Sequence, residues 1–338
     1  MASRNNFSLL FALPHDMNIS VILCTYNRSQ SLKLALDSLA VSHVPESVCW
    51  HVLIVDNNSK DQTRAVAEEF CRRDPVHFRY VFEPQQGKSF ALNRGIREAQ
   101  GDILAFIDDD ITVEPNWLFE LTKPFADPQW SGTGGRVYLP KDFSAPPWMA
   151  VEGVHSLVGI LALFDLGPDP RPLLKPPIGN NMAFRKEVFT KFGGFRTDLG
   201  PMPGSELRYE DTEFGTRVMK GGAQILYVPS AVVRHAVEEH RLKKEYFLAY
   251  NFDYGRALVR EKADRPPVAF IPRSFISLSE RALRMLPKKV WWWLRESDPQ
   301  TRFAHKCHAW ATAGEIAELF HRSLPWSNRQ ASQKFQPQ

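Results

Sequence analysis

Over the first 110 residues, strand-like segments alternate with helical patterns. "ISVILCTY" (19–26), "HVLIVD" (51–56), "FRYVFE" (78–83) and "DILAFID" (102–108) read as strands. Between them, "SLKLALDSLA" (31–40) carries Leu32, Leu36 and Leu39 at helical spacing, and "KDQTRAVAEEFCRR" (60–73) carries Thr63, Val66 and Phe70 on one face. "KSFALNRGIREA" (88–99) is the third helical pattern. Strands that are apolar throughout, with no polar face, must be covered on both sides. The expected fold class is therefore α/β, a Rossmann-like, mainly parallel sheet sandwiched by helices, with right-handed crossovers.

Such sheets bind ligands at the carboxyl ends of their strands. Here those ends are polar: Thr25-Tyr26-Asn27-Arg28 after the first, Asp56-Asn57-Asn58 after the second, Asp108-Asp109-Asp110 after the fourth. Three adjacent carboxylates repel one another and gain nothing from a core. Alternate residues of an extended segment point to opposite sides, so Asp108 and Asp110 face differently from Asp109. One carboxylate can take a sugar hydroxyl while another binds Mg²⁺ or Mn²⁺ bridging a diphosphate. The competing readings are a solvated loop, or an anionic cap for a helix starting near Pro115.

Several classes are excluded. A dinucleotide-binding turn needs G-x-G-x-x-G after the first strand, where "TYNRSQS" has no glycine. "QQGKS" (85–89) imitates the end of a phosphate-binding P-loop, but the first glycine of that motif falls at Phe82. A net charge of +4 and the lack of a dense basic helix argue against nucleic acid. Cys24, Cys49, Cys71 and Cys307 show no C-x-x-C spacing and read as free thiols. "HKCH" (305–308) lacks a second half-site for zinc and reads as a helix face. No apolar run reaches the length of a membrane span.

Residues 1–17 read as a leader, or as sequence upstream of a true start at Met17. A proline-rich stretch, 140–178, reads as an insertion that orders over a bound ligand as a lid. Regular patterns return at 180–195, as a helix at 209–222, a strand at 223–229 and a long helix at 241–261. One folded domain is expected over 18–262, with a helical C-terminal extension at 263–338.

"VILCTYNRSQSLKLALDSL", "LIVDNNSKDQT", "GKSFALNRGI", "GDILAFIDDDI", "GNNMAFRKEVFTKFGGF" and "YEDTEFGTRVMKGG" resemble, in order and spacing, the successive motifs of bacterial-type family 2 glycosyltransferases. The resemblance covers about residues 18–240. It implies the GT-A fold, a nucleotide-diphosphate-sugar donor, a divalent metal and an inverting mechanism. Thr25, Tyr26, Arg28 and Asp56 match positions that hold nucleobase and ribose, with Asp56 accepting the N3–H of a uracil and so favouring UDP. Asp56 also reads as a helix N-cap. Lys88 and Asn93 match the turn that closes over the nucleotide. Asp108 matches a ribose and sugar contact, Asp110 a metal ligand, and Asp109 joins the donor-binding set without a role of its own. Glu210-Asp211 matches an acidic pair at a helix N-terminus, where the dipole favours carboxylates. Asp211 is the expected base for the acceptor hydroxyl, and Glu210 positions acceptor or base. His235, expected just after the last strand, either completes the metal shell or is a structural histidine. His240 is a weaker candidate. Asn180 and Asn181, in "GNNMAF" (179–184), line the donor-sugar and acceptor cleft, or else this is a buried strand whose asparagines satisfy loop backbone.

The expected function is transfer of a sugar to a hydroxyl of a saccharide or lipid-linked acceptor, in cell-surface polysaccharide or glycolipid synthesis. The expected cofactor is Mn²⁺ or Mg²⁺. The rivals are a sugar-nucleotide nucleotidyltransferase, which would carry a glycine-rich basic loop after the first strand, and a non-catalytic sugar-binding protein, which the intact acidic motifs oppose. Trp291-Trp292-Trp293, among basic residues, has two readings: peripheral membrane contact or packing against the folded domain. The expected location is cytoplasmic, including the inner face of the plasma membrane.

Overall fold

The computed structural model describes residues 17–202, 205, 207–262 and 279–323. The leader predicted at 1–17 lies outside them except for Met17, which is buried. The chain forms two compact units. Of the described residues, the first holds those within 17–138, 164–195 and 211–236, and the second those within 139–163, 196–210, 237–262 and 279–323. The proline-rich stretch 140–178 is thus shared between the two units.

The first unit is built on a mixed sheet. β1 (Asn18–Thr25), β2 (Cys49–Asp56), β3 (Phe78–Phe82) and β4 (Ile103–Asp108) are parallel, in the order β3-β2-β1-β4. α1 (Ser29–Ala40), α2 (Thr63–Arg73) and α3 (Lys88–Glu98) connect them. Successive residues of β1 enter opposite layers, as a period of two requires. Val21 and Leu23 join Leu32, Leu36, Ile54 and Phe70, while Ile22 joins Leu53, Leu92, Phe106 and Phe214.

The sheet continues with β5 (Ile111–Val113), β6 (Trp130–Tyr138), β7 (Arg171–Pro172), β8 (Met182–Arg185) and β9 (Gln224–His235). β9 contains the strand expected at 223–229, β8 overlaps the stretch 179–184 whose alternative reading is a buried strand, and β5, β6 and β7 are absent from the sequence reading. β8 runs antiparallel to both β4 and β6, β6 is parallel to β9, and β5 and β7 are antiparallel to β9. α4 (Trp117–Thr122), α5 (Lys186–Phe192) and α6 (Glu210–Lys220) complete the helices of this part of the chain.

The second unit contains α7 (Lys244–Glu261), α8 (Leu286–Arg295) and α9 (Pro299–Ser323). Its core gathers Met149, Leu157, Phe247, Phe303 and Cys307, with Trp148 edge-on to Phe247 and Phe303. The helical extension expected at 263–338 is represented by α8 and α9; residues 263–278 and 324–338 of it lie outside the described ones. No helix among the described residues is long and apolar enough to cross a membrane. The "HKCH" residues lie on α9, where His305 and His308 pack against His155. All four cysteines are free.

α7 and α9 meet backbone to backbone. A Cβ on Gly255 would lie 1.8 Å from the Ala311 carbonyl oxygen, and one on Gly314 would lie 1.9 Å from that of Phe252. Neither neighbour is a side chain that can rotate away, so the helices must separate. Gly314→Ala is expected to cost roughly 3 kcal/mol, the upper part of the overpacking range. Its thermal midpoint should fall clearly; a midpoint equal to that of the parent would remove this crossing from the stability of the unit.

Candidate active site

The parallel register assembles the site before any side-chain contact is made. Thr25 stands opposite Asp56 across β1 and β2, and Cys24 opposite Asp108 across β1 and β4. The chain then turns off the sheet through Asn27 (φ 52°) and Asn58 (φ 66°), the left-handed conformation that asparagine adopts more readily than most residues. Asn27 ties the two turns together. Its N–H donates to Ser59 Oγ at 2.9 Å, and its Oδ1 accepts from the Lys60 N–H at 2.6 Å.

The carboxylates are not solvated. Asp109 and Asp110 are only 5% and 6% exposed, which overturns the loop reading. α4 has Asn116 at its N-cap with no side-chain cap bond, which overturns the helix-cap reading. Basic groups offset the repulsion. Lys88, the first residue of α3, places Nζ 2.7 Å from Asp108 Oδ1. Arg28 reaches Asp109 Oδ1 at 3.2 Å and Asp110 Oδ2 at 2.9 Å. Thr25 Oγ1 donates to Asp109 Oδ2 at 2.8 Å. Burial first, then the Asp110 charge, pushes the Asp109 carboxyl up to about 7 against the opposing pull of Arg28 and Thr25. Arg28, expected at the nucleotide, is thus also the counter-ion of the acidic cluster. Tyr26, between Thr25 and Arg28, is 40% exposed.

His235 is the last residue of β9 rather than a residue beyond it, and it pairs with Ile111 of β5. The Ala236 N–H donates to the Asp110 carbonyl at 2.8 Å, and this pairing brings His235 Nε2 to 3.4 Å from Asp110 Oδ2. His240 pairs instead with Glu238, at 3.0 Å. Among the described residues no three acidic, histidine or cysteine side chains already form a metal-holding group. Mg²⁺ is commonly held by one or two protein carboxylates plus substrate phosphates, and Asp110, with the His235 ring beside it, presents one such carboxylate.

Asp56 is buried. Its Oδ1 accepts from the Ser59 N–H and its Oδ2 from the Tyr80 hydroxyl, both at 2.9 Å. Burial, then this bond to Asp56, raises the Tyr80 hydroxyl above its ordinary range. The helix-cap reading of Asp56 is corrected: α2 begins at Thr63, whose N–H bonds to Asp61 Oδ1 at 3.0 Å. Asn57 has a role that the sequence reading missed. Its amide donates to the carbonyls of Gln85 (2.7 Å) and Glu83 (3.3 Å), and its Oδ1 accepts from the Gly87 N–H (2.7 Å). It therefore sets the turn that delivers Lys88. The signal was an asparagine immediately after a strand end.

Three asparagines divide by their partners. Asn93 spends both ends of its amide on the Phe195 backbone, each at 2.8 Å. Asn181 is fully buried and accepts from Trp117 Nε1 at 2.8 Å. Its amide donates to the carbonyls of Arg136 and Ala231 at 2.9 Å each, so the backbone-satisfying reading describes it. Asn180 is also buried, yet its Oδ1 has no hydrogen-bond partner among the described residues. It keeps an acceptor to offer a ligand.

Asp211 is fixed from two sides. Its Oδ2 accepts from the Gly179 N–H at 2.7 Å, next to Asn180, and its Oδ1 accepts from its neighbour Thr212 N–H at 2.6 Å. Glu210, the first residue of α6, is buried.

The model of the family described as "Glycosyl transferase family 2" matches residues 20–193. The chain is 30% identical over 256 residues to the succinoglycan biosynthesis protein ExoM of Rhizobium meliloti, covering 74% of this chain and 78% of the relative. It is 27% identical over 250 residues to a glucosyl-dolichyl phosphate glucuronosyltransferase of Haloferax volcanii, covering 71% and 75%. Among solved structures, it is similar to a mannosyltransferase of Pyrobaculum calidifontis in complex with GDP-Man and Mn²⁺. The TM-score is 0.57 at 19% identity, covering 88% of this chain and 86% of that one.

Proposed function

Because the chain belongs to glycosyl transferase family 2 and is a glycosyltransferase of the GT-A fold, we propose that it moves a sugar from a nucleotide-diphosphate donor to a hydroxyl acceptor with inversion. Membership sets aside the nucleotidyltransferase and the non-catalytic binding protein. The observation that carries the proposal is the acidic cluster itself. Asp108, Asp109 and Asp110 leave β4 at the carboxyl edge of the sheet, and His235 stands against one of them.

A bound Mn²⁺ or Mg²⁺ would neutralise the leaving diphosphate, and Asp110 and His235 are the residues to hold it. Asp108 and Lys88 lie where they can meet the sugar and phosphate. Thr25, Tyr26 and Arg28 border the nucleoside. Asp56 uses one acceptor site on each oxygen for Ser59 and Tyr80, and a carboxylate oxygen has two. A uracil N3–H can take one of the remaining sites, which supports UDP. Asn180 offers its Oδ1 to the donor sugar or acceptor. Asp211 takes the proton of the acceptor hydroxyl as that oxygen attacks the anomeric carbon from the face opposite the nucleotide. The relatives, named for succinoglycan biosynthesis and for a dolichyl phosphate substrate, support a saccharide or lipid-linked acceptor in polysaccharide or glycolipid synthesis.

The test is transfer from UDP-, GDP- and dTDP-sugars, with the product anomer read by NMR. Inversion is expected, with activity lost in EDTA and restored by Mn²⁺. A retained configuration would overturn the mechanism, and full activity in EDTA would overturn the metal.

A further inference from the structure

We propose that the outward face of α8 docks this protein on an anionic membrane surface. The helix continues from a single π-helical turn, Arg281–Met285. Its inward side is spent within the second unit. Lys289 Nζ donates to Thr312 Oγ1 at 2.6 Å, Arg281 pairs with Glu315, and Trp293 packs edge-on to Trp310 with ring centres 6.0 Å apart. That contact assigns Trp293 to packing.

The outward side has a different composition. Leu283, Pro287, Trp291 and Leu294 recur at helical spacing along one stripe, and Leu283, Trp291 and Leu294 are 77%, 47% and 61% exposed. Beside the stripe run the exposed residues Arg284, Lys288 and Arg295, with the Arg295 guanidinium 4.8 Å above the Trp291 ring. Trp292, 47% exposed, lies beyond them. From 281 to 295 there is no acidic residue. A solvated helix face has little reason to carry tryptophan and leucine outward, and the exposed Arg284, Lys288 and Arg295 with no acidic residue among them give this face a charge complementary to an anionic surface.

An anionic bilayer surface satisfies both halves of the face. Tryptophan rings rest at the headgroup level, leucines enter the acyl boundary, and long basic side chains reach back to lipid phosphates. A ten-residue helix is far too short to span a bilayer, so α8 would lie in the interface. Lipid binding of this kind does not depend on the reading of the active site, although it would suit a lipid-linked acceptor.

The experiment is cosedimentation of the full chain with vesicles of phosphatidylcholine alone or with added phosphatidylglycerol. Strong binding is expected only to the anionic vesicles, weakening as salt rises. Each basic residue near such a surface is worth roughly fivefold in affinity. Lys288→Glu with Arg295→Glu should therefore reduce binding by at least about tenfold, and Trp291→Ser with Leu294→Ser should also reduce it severalfold. Lys33→Glu, on α1, is the control and should bind as the parent does. Acyl-brominated lipids should quench the tryptophan fluorescence of the unaltered protein, a readout that needs no variant. Absent or charge-indifferent vesicle binding would overturn the proposal. So would variants that bind like the parent, or a clear fall in their thermal midpoint, which would show that the chain itself covers this face.

Discussion

Replacing Asp211 by Asn is expected to lower kcat by about 10²–10⁴-fold while leaving donor affinity nearly unchanged. That is the range lost when a positioned general base is removed. The substitution keeps the shape of the side chain and removes its charge. One amide oxygen can still accept from Gly179 or from Thr212, but not from both in the present geometry, because both carboxylate oxygens are used. The remaining position would carry an NH₂ facing an N–H donor. Donor binding should survive, because Thr25, Arg28, Asp108 and Asp110 stand on other segments. Donor affinity by calorimetry beside single-turnover transfer separates the two effects. Turnover equal to the parent would remove Asp211 from the role of base. Loss of donor binding in step with turnover would make it a donor residue instead. Glu210→Gln should give the smaller kinetic loss if Glu210 only positions its neighbour.

The first half of the sheet was legible because β1, β2 and β4 are apolar on both faces and end abruptly in polar residues. Few other arrangements accept such segments. β6 was not legible: "WSGTGGRVY" is rich in glycine and gives no apolar run, and its place is set by partners far away in the chain. β8 was legible only as the alternative reading of "GNNMAF", since four residues cannot display a period. The site was half legible. Residue type at a strand end singles out Asp56 and Asp108 to Asp110 as candidates, but a side chain's partners lie elsewhere in the chain. Asn93, Asn180 and Asn181 have the same chemistry in the sequence. Only the fold reveals that two of them have both ends of the amide spent within the protein and that one keeps an acceptor. Arg28 reads in the sequence as a ligand-binding residue alone, and only the fold adds its second role by placing Asp109 and Asp110 beside it. His235 is a candidate by type alone, and only the β5–β9 register explains why it meets Asp110.

Gly179→Ala is the second large expected effect, and it reports on Asp211 without altering it. A Cβ on Gly179 would lie 2.8 Å from both Cβ and Oδ2 of Asp211 and 3.1 Å from its Cγ. The 2.7 Å bond from the Gly179 N–H to Oδ2 shows why the approach is so close. No residue with a Cβ can donate from that position without displacing the carboxylate. The methyl group must push Asp211 away from the loop, and an ångström of misplacement can cost about 10²-fold in rate. The expected result is a kcat loss of that order, with donor affinity and thermal midpoint close to those of the parent. This is unlike Gly314→Ala, where the loss should appear in the midpoint. The double variant gives the sharper comparison. If Gly179 acts only by placing the carboxylate, then Gly179→Ala should do little further harm once Asp211 is Asn, because residues acting as a unit are far from additive. Full additivity of the two losses, or a single variant within about twofold of parent kcat, would show that the Gly179 contact does not govern where the base stands.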